Sequence, residues 1–442
     1  MPIFLTSLLF LLISCAQIEK NTQPILHKKI LDNGLTVILL ENHHLPIFSY
    51  YTFYKVGSKF EPQGMTGSSH YLEHLMFKGA KKYGMGEFDR LIEEYGGKNN
   101  AYTNYDLTVY YEDITLPALK AIIDLEADRM QNLLLDPEGL EKERQVVLEE
   151  RKMRYENSPQ GQLSYALMEN MFKGTPYQHS VIGEIVDIKT VSREQIYHYF
   201  KKFYAPNNAV IVAVGDFQAQ EILKEIEAKY GSIPADEKLV DLKKENKKSH
   251  YQSRLSASLV KNLKGPSPAP LFRLSYSGFP YGTAESYFLE ILGSYLADGS
   301  SSYLKQKYIE SKQPILTSVF AYHQALEHAG VFVLGGQLAP QIKPEDLRKE
   351  LTENLKKACD EISENSLQKV KNNYLVAHYQ SIQTNNALAH MMGLGEVFLG
   401  DPLHYQKEMD IYQQMSLLDV QNICYKVISG HSLFISLWEK NK

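Results

Sequence analysis

The groups best suited to chemistry sit in five consecutive residues, His70-Tyr71-Leu72-Glu73-His74. On an α-helix, positions four apart stand one turn above the other on one face. His70 and His74 can therefore aim two imidazole nitrogens at a common point, with Glu73 beside them. Two neutral imidazoles next to a carboxylate that does not itself bind match the inner shell of a hydrolytic zinc site. Two histidines merely hydrogen-bonded on a half-buried helix fit the same pattern, so a third ligand has to decide. The best source is Glu141-Lys142-Glu143-Arg144-Gln145-Val146-Val147-Leu148-Glu149-Glu150-Arg151. It reads as a helix, with Val146, Val147 and Met153 as an apolar stripe amid charge. Glu143 and Glu150, seven apart, share a face, whereas Glu149 is turned roughly 100° from Glu150. A solvated charged helix is the plain alternative.

The elements that must position these groups fall into two halves joined by a linker. The first, residues 25–235, opens with the strand patterns Leu35–Leu40 and Phe48–Tyr54. The histidine helix follows, then the strand Leu107–Glu112, long helical patterns from Leu116 to Arg154, and the strand Ala209–Val214. Residues 236–254 are rich in Lys, Glu and Asn and read as a charged linker. The second half, residues 255–440, repeats the order. It has a strand at Phe272–Tyr276, a helix at Ala284–Ala297, a return strand at Gly330–Gly335, a helix-rich stretch from Pro344 to Gln413 and a closing strand at Ser432–Leu437. This predicts an internal duplication of an α+β unit. Where the first copy has its histidine helix, the second has Tyr287-Phe288-Leu289-Glu290-Ile291, with no pair of metal ligands.

Several motifs in order carry a resemblance. They are Asn33-Gly34-Leu35-Thr36-Val37, the histidine helix with its trailing Phe77-Lys78-Gly79, and Gly97-Lys98-Asn99-Asn100-Ala101-Tyr102-Thr103. Glu143 to Glu150 and Tyr204-Ala205-Pro206-Asn207-Asn208-Ala209-Val210-Ile211 complete the set. The stretch from Asn33 to Phe217 resembles the catalytic half of the pitrilysin and mitochondrial-processing-peptidase family, whose H-x-x-E-H order marks the inverzincin metallopeptidases. The resemblance implies an α+β fold of two homologous α/β modules, each a mixed or antiparallel sheet with helices packed on it, forming a clam-like half-chamber. It implies one zinc ion per chain held by His70, His74 and Glu150, with Glu73 as the general base and Glu143 orienting a ligand. It also implies hydrolysis of short or unfolded polypeptides held as an added strand along Asn99, Asn100, Ala101 and Tyr102.

One departure stands out. Single-chain relatives supply an Arg and a Tyr, seven apart, from the second half; here Ile309 and Thr317 align with those positions. The expectation is a zinc-bearing subunit of a dimer whose related, metal-free partner provides the pair, with Tyr303, Lys305, Lys307 and Tyr308 as alternative donors within the chain. The competing readings are a non-catalytic structural subunit of the same fold and a lipid-anchored peptide-binding protein.

Composition bounds the rest. The chain has 442 residues, 44% hydrophobic and 22% charged, with a net charge of −5. No basic surplus exists to recruit nucleic acid, and no run of about 20 apolar residues suggests a membrane span. Ile3 to Ile13 suits the apolar core of a secretory signal, although no Lys or Arg precedes it. Leu12-Ile13-Ser14-Cys15 resembles a bacterial lipoprotein box, making 1–15 a signal segment and Cys15 a lipidation site; an ordinary signal peptide with an incidental cysteine is the alternative. The expected location is the cell envelope, lipid-anchored and facing the periplasm, with Ala16 compatible with the outer membrane. Cys359 and Cys424 remain available to pair, which the sequence alone does not indicate.

Overall fold

A computed structural model describes residues 26–239, 251 and 255–438. The segment 1–15 with Cys15, and most of the linker, lie outside the described residues.

Two mixed sheets organise the chain. The first has six strands, β1 (Leu26–Ile30), β2 (Thr36–Glu41), β3 (Ile47–Tyr54), β4 (Lys98–Thr103), β5 (Thr108–Thr115) and β6 (Ala209–Gly215), in the order β1-β2-β6-β3-β5-β4. The second has β7 (Leu259–Leu263), β8 (Leu271–Gly278), β9 (Leu316–Ala325), β10 (Gly330–Leu338) and β11 (Ser432–Leu437), ordered β7-β11-β8-β10-β9. Setting β1 aside, the two orders are the same, and in each the only parallel pair is the one that returns the last strand, β2 with β6 and β7 with β11. The duplication is thus written in the topology.

Helices line up in the same way. Between β3 and β4 come α1 (Ser68–Leu75) and α2 (Glu87–Glu94); between β8 and β9 come α9 (Ala284–Ala297) and α10 (Tyr303–Tyr308). After β5 follow α3 (Leu119–Asn132), α4 (Pro137–Arg151), α5 (Pro159–Met171), α6 (Ile185–Thr190) and α7 (Arg193–Phe203), with α8 (Ala219–Tyr230) after β6. After β10 come α11 (Pro344–Glu361), α12 (Glu364–Ser381), α13 (Asn385–Leu399), α14 (His404–Gln414) and α15 (Leu417–Ile428). The helical patterns read from Leu116 to Arg154 resolve into α3 and α4. Leu133 to Asp136 separate α3 from α4, where Pro137 starts a new helix and the Asp136 carboxylate accepts the Gly139 N–H at 2.8 Å.

The halves exchange helices. One apolar cluster combines Leu163, Leu167 and Met171 of α5 with Val331, Val333, Leu433 and Ile435 of the second sheet. Its counterpart combines Ala389 and Met392 of α13 with Ile38, Phe53, Val210 and Val212 of the first sheet. Each sheet therefore has one face covered by a helix of the other half. Where the two equivalent hairpin turns meet, the Lys59 ammonium, fully buried, lies between Asp106 at 2.8 Å and Glu327, and Asp106 also accepts the Glu327 N–H at 3.0 Å. Cys359 of α11 and Cys424 of α15 are joined by a disulfide, with Cα atoms 5.7 Å apart.

The exchange requires close backbone approach at Gly393 of α13, where an added Cβ would fall 2.1 Å from the Phe53 ring. Gly393→Val is expected to force α13 off the first sheet and destabilise the chain by roughly 1–3 kcal/mol or more, read as a lower midpoint in denaturant unfolding with both halves melting together.

Candidate metal centre

The site grows from the packing of α1 on α4. Eight residues are too few for a stable isolated helix, so α1 is held by its surroundings. Gly67 precedes it at φ +89°, and a side chain there would strike the Ile182 carbonyl. The buried Glu61 carboxylate accepts the N–H groups of Gly67 at 2.6 Å and Ser69 at 2.7 Å, closing the helix start. Burial foremost, against those hydrogen bonds, pushes this carboxyl up to about 8. Tyr71 and Leu75 turn inward, and the Tyr71 hydroxyl donates to the Leu140 carbonyl of α4. α4 is anchored in turn by Arg144 on the Val191 carbonyl at 3.0 Å and Arg151 on the Gly183 carbonyl at 2.7 Å. Its inward face is Leu140, Glu143, Arg144, Val147 and Arg151; Val146 and Met153, read as part of an apolar stripe, are 48% and 67% exposed. Val147 of that stripe is buried, and Arg144 and Arg151, whose heads reach backbone carbonyls, share its face.

This arrangement brings His70, His74 and Glu150 together, with one ligand atom from each lying within 4.8 Å of the others. Glu150 Oε2 is 3.5 Å from His70 Nε2 and 3.3 Å from His74 Nε2. Ligands about 2.0–2.1 Å from a tetrahedral zinc ion stand roughly 3.3–3.4 Å from one another, so the donor set fits that metal. Burial foremost lowers His70 to about 4, which keeps its lone pair free at neutral pH. Burial also works to lower His74, but hydrogen bonds to Glu150 and Glu143 win and raise it. Glu150 is held below its usual range, first by the His74 hydrogen bond.

Around the three stand the groups that orient them. Glu143 Oε2 is 3.2 Å from His74 Nδ1, and its other oxygen takes the Lys78 ammonium at 2.6 Å. Arg154 holds Glu150 Oε1 at 2.9 Å. It projects from a π-helical turn, Lys152–Glu156, that follows α4 directly. Glu73 accepts the Thr103 hydroxyl at 2.6 Å, and burial above all raises its pKa.

Thr103 ends β4, which among the described residues pairs only with β5 and so turns one edge of its backbone toward the centre, with the Ala101 N–H donating to the Asn100 side chain at 2.9 Å. Asn99, Ala101 and Thr103 share one face of this strand, the face that meets α1; Asn100 and Tyr102 share the other. The Tyr102 hydroxyl is 2.7 Å from His390 Nε2 of α13, so its ring is engaged across the half boundary rather than beside Glu73. In the second half, Ile309 packs against the core cluster and Thr317 donates to Gln337 at 3.3 Å. Of the alternative donors, Tyr308 is buried and its hydroxyl oxygen accepts from Asn354 at 2.7 Å, while the Tyr303 hydroxyl donates to the Asn354 carbonyl at 3.5 Å, so both are engaged on α11. Among the described residues no second His, Cys, Asp and Glu cluster of this kind occurs. Sequence reasoning passed over Thr103 and Arg154 as site residues; the four-residue spacing of Arg154 from Glu150 was the available signal for the latter.

An α+β shell with paired histidines and a distant glutamate defines a metallopeptidase architecture, and the comparisons agree. The family model described as Insulinase (Peptidase family M16) matches residues 37–184, and the one described as Peptidase M16 inactive domain matches 190–374. The chain belongs to the M16 peptidase family. It is 28% identical to the zinc protease PqqE of Helicobacter pylori, over 98% of this chain and 97% of that one. It is 23% identical to a probable mitochondrial-processing peptidase subunit beta of Arabidopsis thaliana, over 68% of this chain and 57% of the relative. The crystal structure of a protease from Helicobacter pylori superposes with a TM-score of 0.85 at 25% identity, covering 94% of this chain and all of that one.

Glu143→Ala is expected to leave the fold intact while weakening zinc affinity about 10–100-fold, measured by competition with a chromophoric chelator; His74→Ala should abolish stoichiometric binding.

Proposed function

We propose that this chain is a zinc-dependent endopeptidase acting on short or unfolded polypeptides, and that it is the catalytic subunit of a dimer. The observation that carries the reading is the convergence of His70, His74 and Glu150, with Glu73 held beside them by a residue of the edge strand β4. An extended peptide adds to β4 through main-chain hydrogen bonds, which hold it with little demand on sequence. A zinc ion at His70, His74 and Glu150 supplies charge to polarise the scissile carbonyl and to acidify water. Glu73 takes the proton from the water whose oxygen adds to the carbonyl carbon. As the C–N bond breaks, Glu73 delivers that proton to the departing amine. The Thr103 hydroxyl occupies Glu73 Oε2 and leaves the other oxygen for this transfer. Glu143 and Arg154 keep His74 and Glu150 aimed.

Ile309 and Thr317 offer no Arg and Tyr pair, and the Arabidopsis relative is by its name a subunit. Both support a related, metal-free partner that supplies donors toward the developing oxyanion. The disulfide between Cys359 and Cys424 favours an oxidising compartment, in keeping with a lipid anchor at Cys15 and a periplasm-facing position on the outer membrane. The description of the second family model as an inactive domain supports a rival reading, a subunit that binds peptides or holds an assembly without cleaving.

Glu73→Gln is expected to lower peptide turnover by roughly 10²–10⁴ while zinc content stays at one per chain by elemental analysis; native and variant chains behaving alike on peptides would establish the rival. The purified chain alone is expected to run about 10²–10³ below its rate with a metal-free relative, and full activity without a partner would remove the dimer.

A further inference from the structure

A cavity of about 170 Å³ lies between the halves, lined among others by Tyr105, Tyr155, Tyr165, Met168, Tyr322 and Gln324. We propose that it is a specificity subsite for a large uncharged side chain, preferably aromatic, of the bound peptide; this rests on the peptidase reading above.

Two short tethers tie the recess to the catalytic groups. Tyr105 stands two residues beyond Thr103, the residue bonded to Glu73, and Tyr155 directly follows Arg154, the residue bonded to Glu150. At about 3.3–3.8 Å per residue, both walls begin within roughly 7 Å of those positions. A peptide paired along β4 and running past Thr103 reaches the recess with a side chain roughly one to three residues from the scissile bond.

The lining sets the ligand class. None of the lining side chains carries a formal charge, and the charges that reach the lining are already paired with each other: Glu184 takes the Tyr165 hydroxyl at 2.9 Å and Arg151 at 3.1 Å, so a buried Lys, Arg, Asp or Glu side chain is disfavoured. Ring faces and edges are on offer, with Tyr155 and Tyr165 edge to face at 5.8 Å and Tyr105 edge to face with Tyr177 at 5.9 Å. A cavity of roughly 150 Å³ holds a benzene ring, so this one admits Phe or Tyr. Its mouth is open, since Tyr322, on the edge strand β9, is 41% exposed and Ser164 is exposed.

The test uses the full zinc-loaded chain and otherwise identical fluorescent peptides carrying Phe, Leu, Ala, Lys or Glu at each position flanking the cleaved bond. Binding is read by anisotropy on Glu73→Gln, and cleavage sites by mass spectrometry on the native chain. Phe is expected to bind about tenfold or more tighter than Ala at one position only. Ser164→Trp, which fills the recess, should bring that ratio near one, and Tyr322→Ala should reduce it severalfold. A Phe-to-Ala ratio within twofold in Glu73→Gln, or a preference that survives both recess variants, overturns the proposal. A preference in binding without turnover by the native chain would sink the peptidase reading and leave the subsite standing.

Discussion

The site depends on the packing of one short helix against a long one. α1 contributes both histidines and Glu73, while Glu150 arrives from α4, 76 positions past His74 in the chain. The packing around Tyr71, Leu140 and Val147 sets the distance between them. Neither helix could hold the donor set by itself. The Glu61 cap fixes the start of α1, and Arg144 and Arg151 fix the roll of α4, so the three donor atoms meet within a few ångströms. That convergence concentrates lone pairs in a half-buried pocket, and burial holds the His70 imidazole neutral, as a ligand must be.

What could be read in advance follows a physical line. β6, buried along its whole length, appears in the sequence as a continuous apolar run, and α9 and β11 fall where the pattern put them. β1, β7 and β9 escaped that reading. They are outer strands of their sheets, and Leu26–Ile30 and Leu259–Leu263 are largely exposed, so burial imposes no alternation on them. Nor is the face of α4 fully legible as hydrophobic periodicity, because arginine stems with hydrogen-bonded heads share the packing there. The histidine and glutamate cluster was visible for a different reason: its spacing is a property of the helix itself, whereas the aim of Tyr102 toward His390 depends on a helix almost 290 positions away.

The second half keeps the plan of the first and replaces its chemistry with packing. On α9, the counterpart of the histidine helix, the Tyr287 hydroxyl meets His404 at 2.6 Å and Glu290 takes the Tyr412 hydroxyl. Polar groups are retained, but they serve one another. Tyr303 and Tyr308 are spent in the same way on α11. The duplicated unit thus divides labour, with one copy exposing donors and the other consuming them.

The exchanged helices α5 and α13 carry a mechanical consequence. A clam whose two valves each hold a rib of the other has no hinge of its own: prising the sheets apart would expose both interlocking apolar clusters to water at once. Within one chain the jaw is welded. The two halves then respond to load as one body, and strain applied to either sheet passes to the other through the shared clusters.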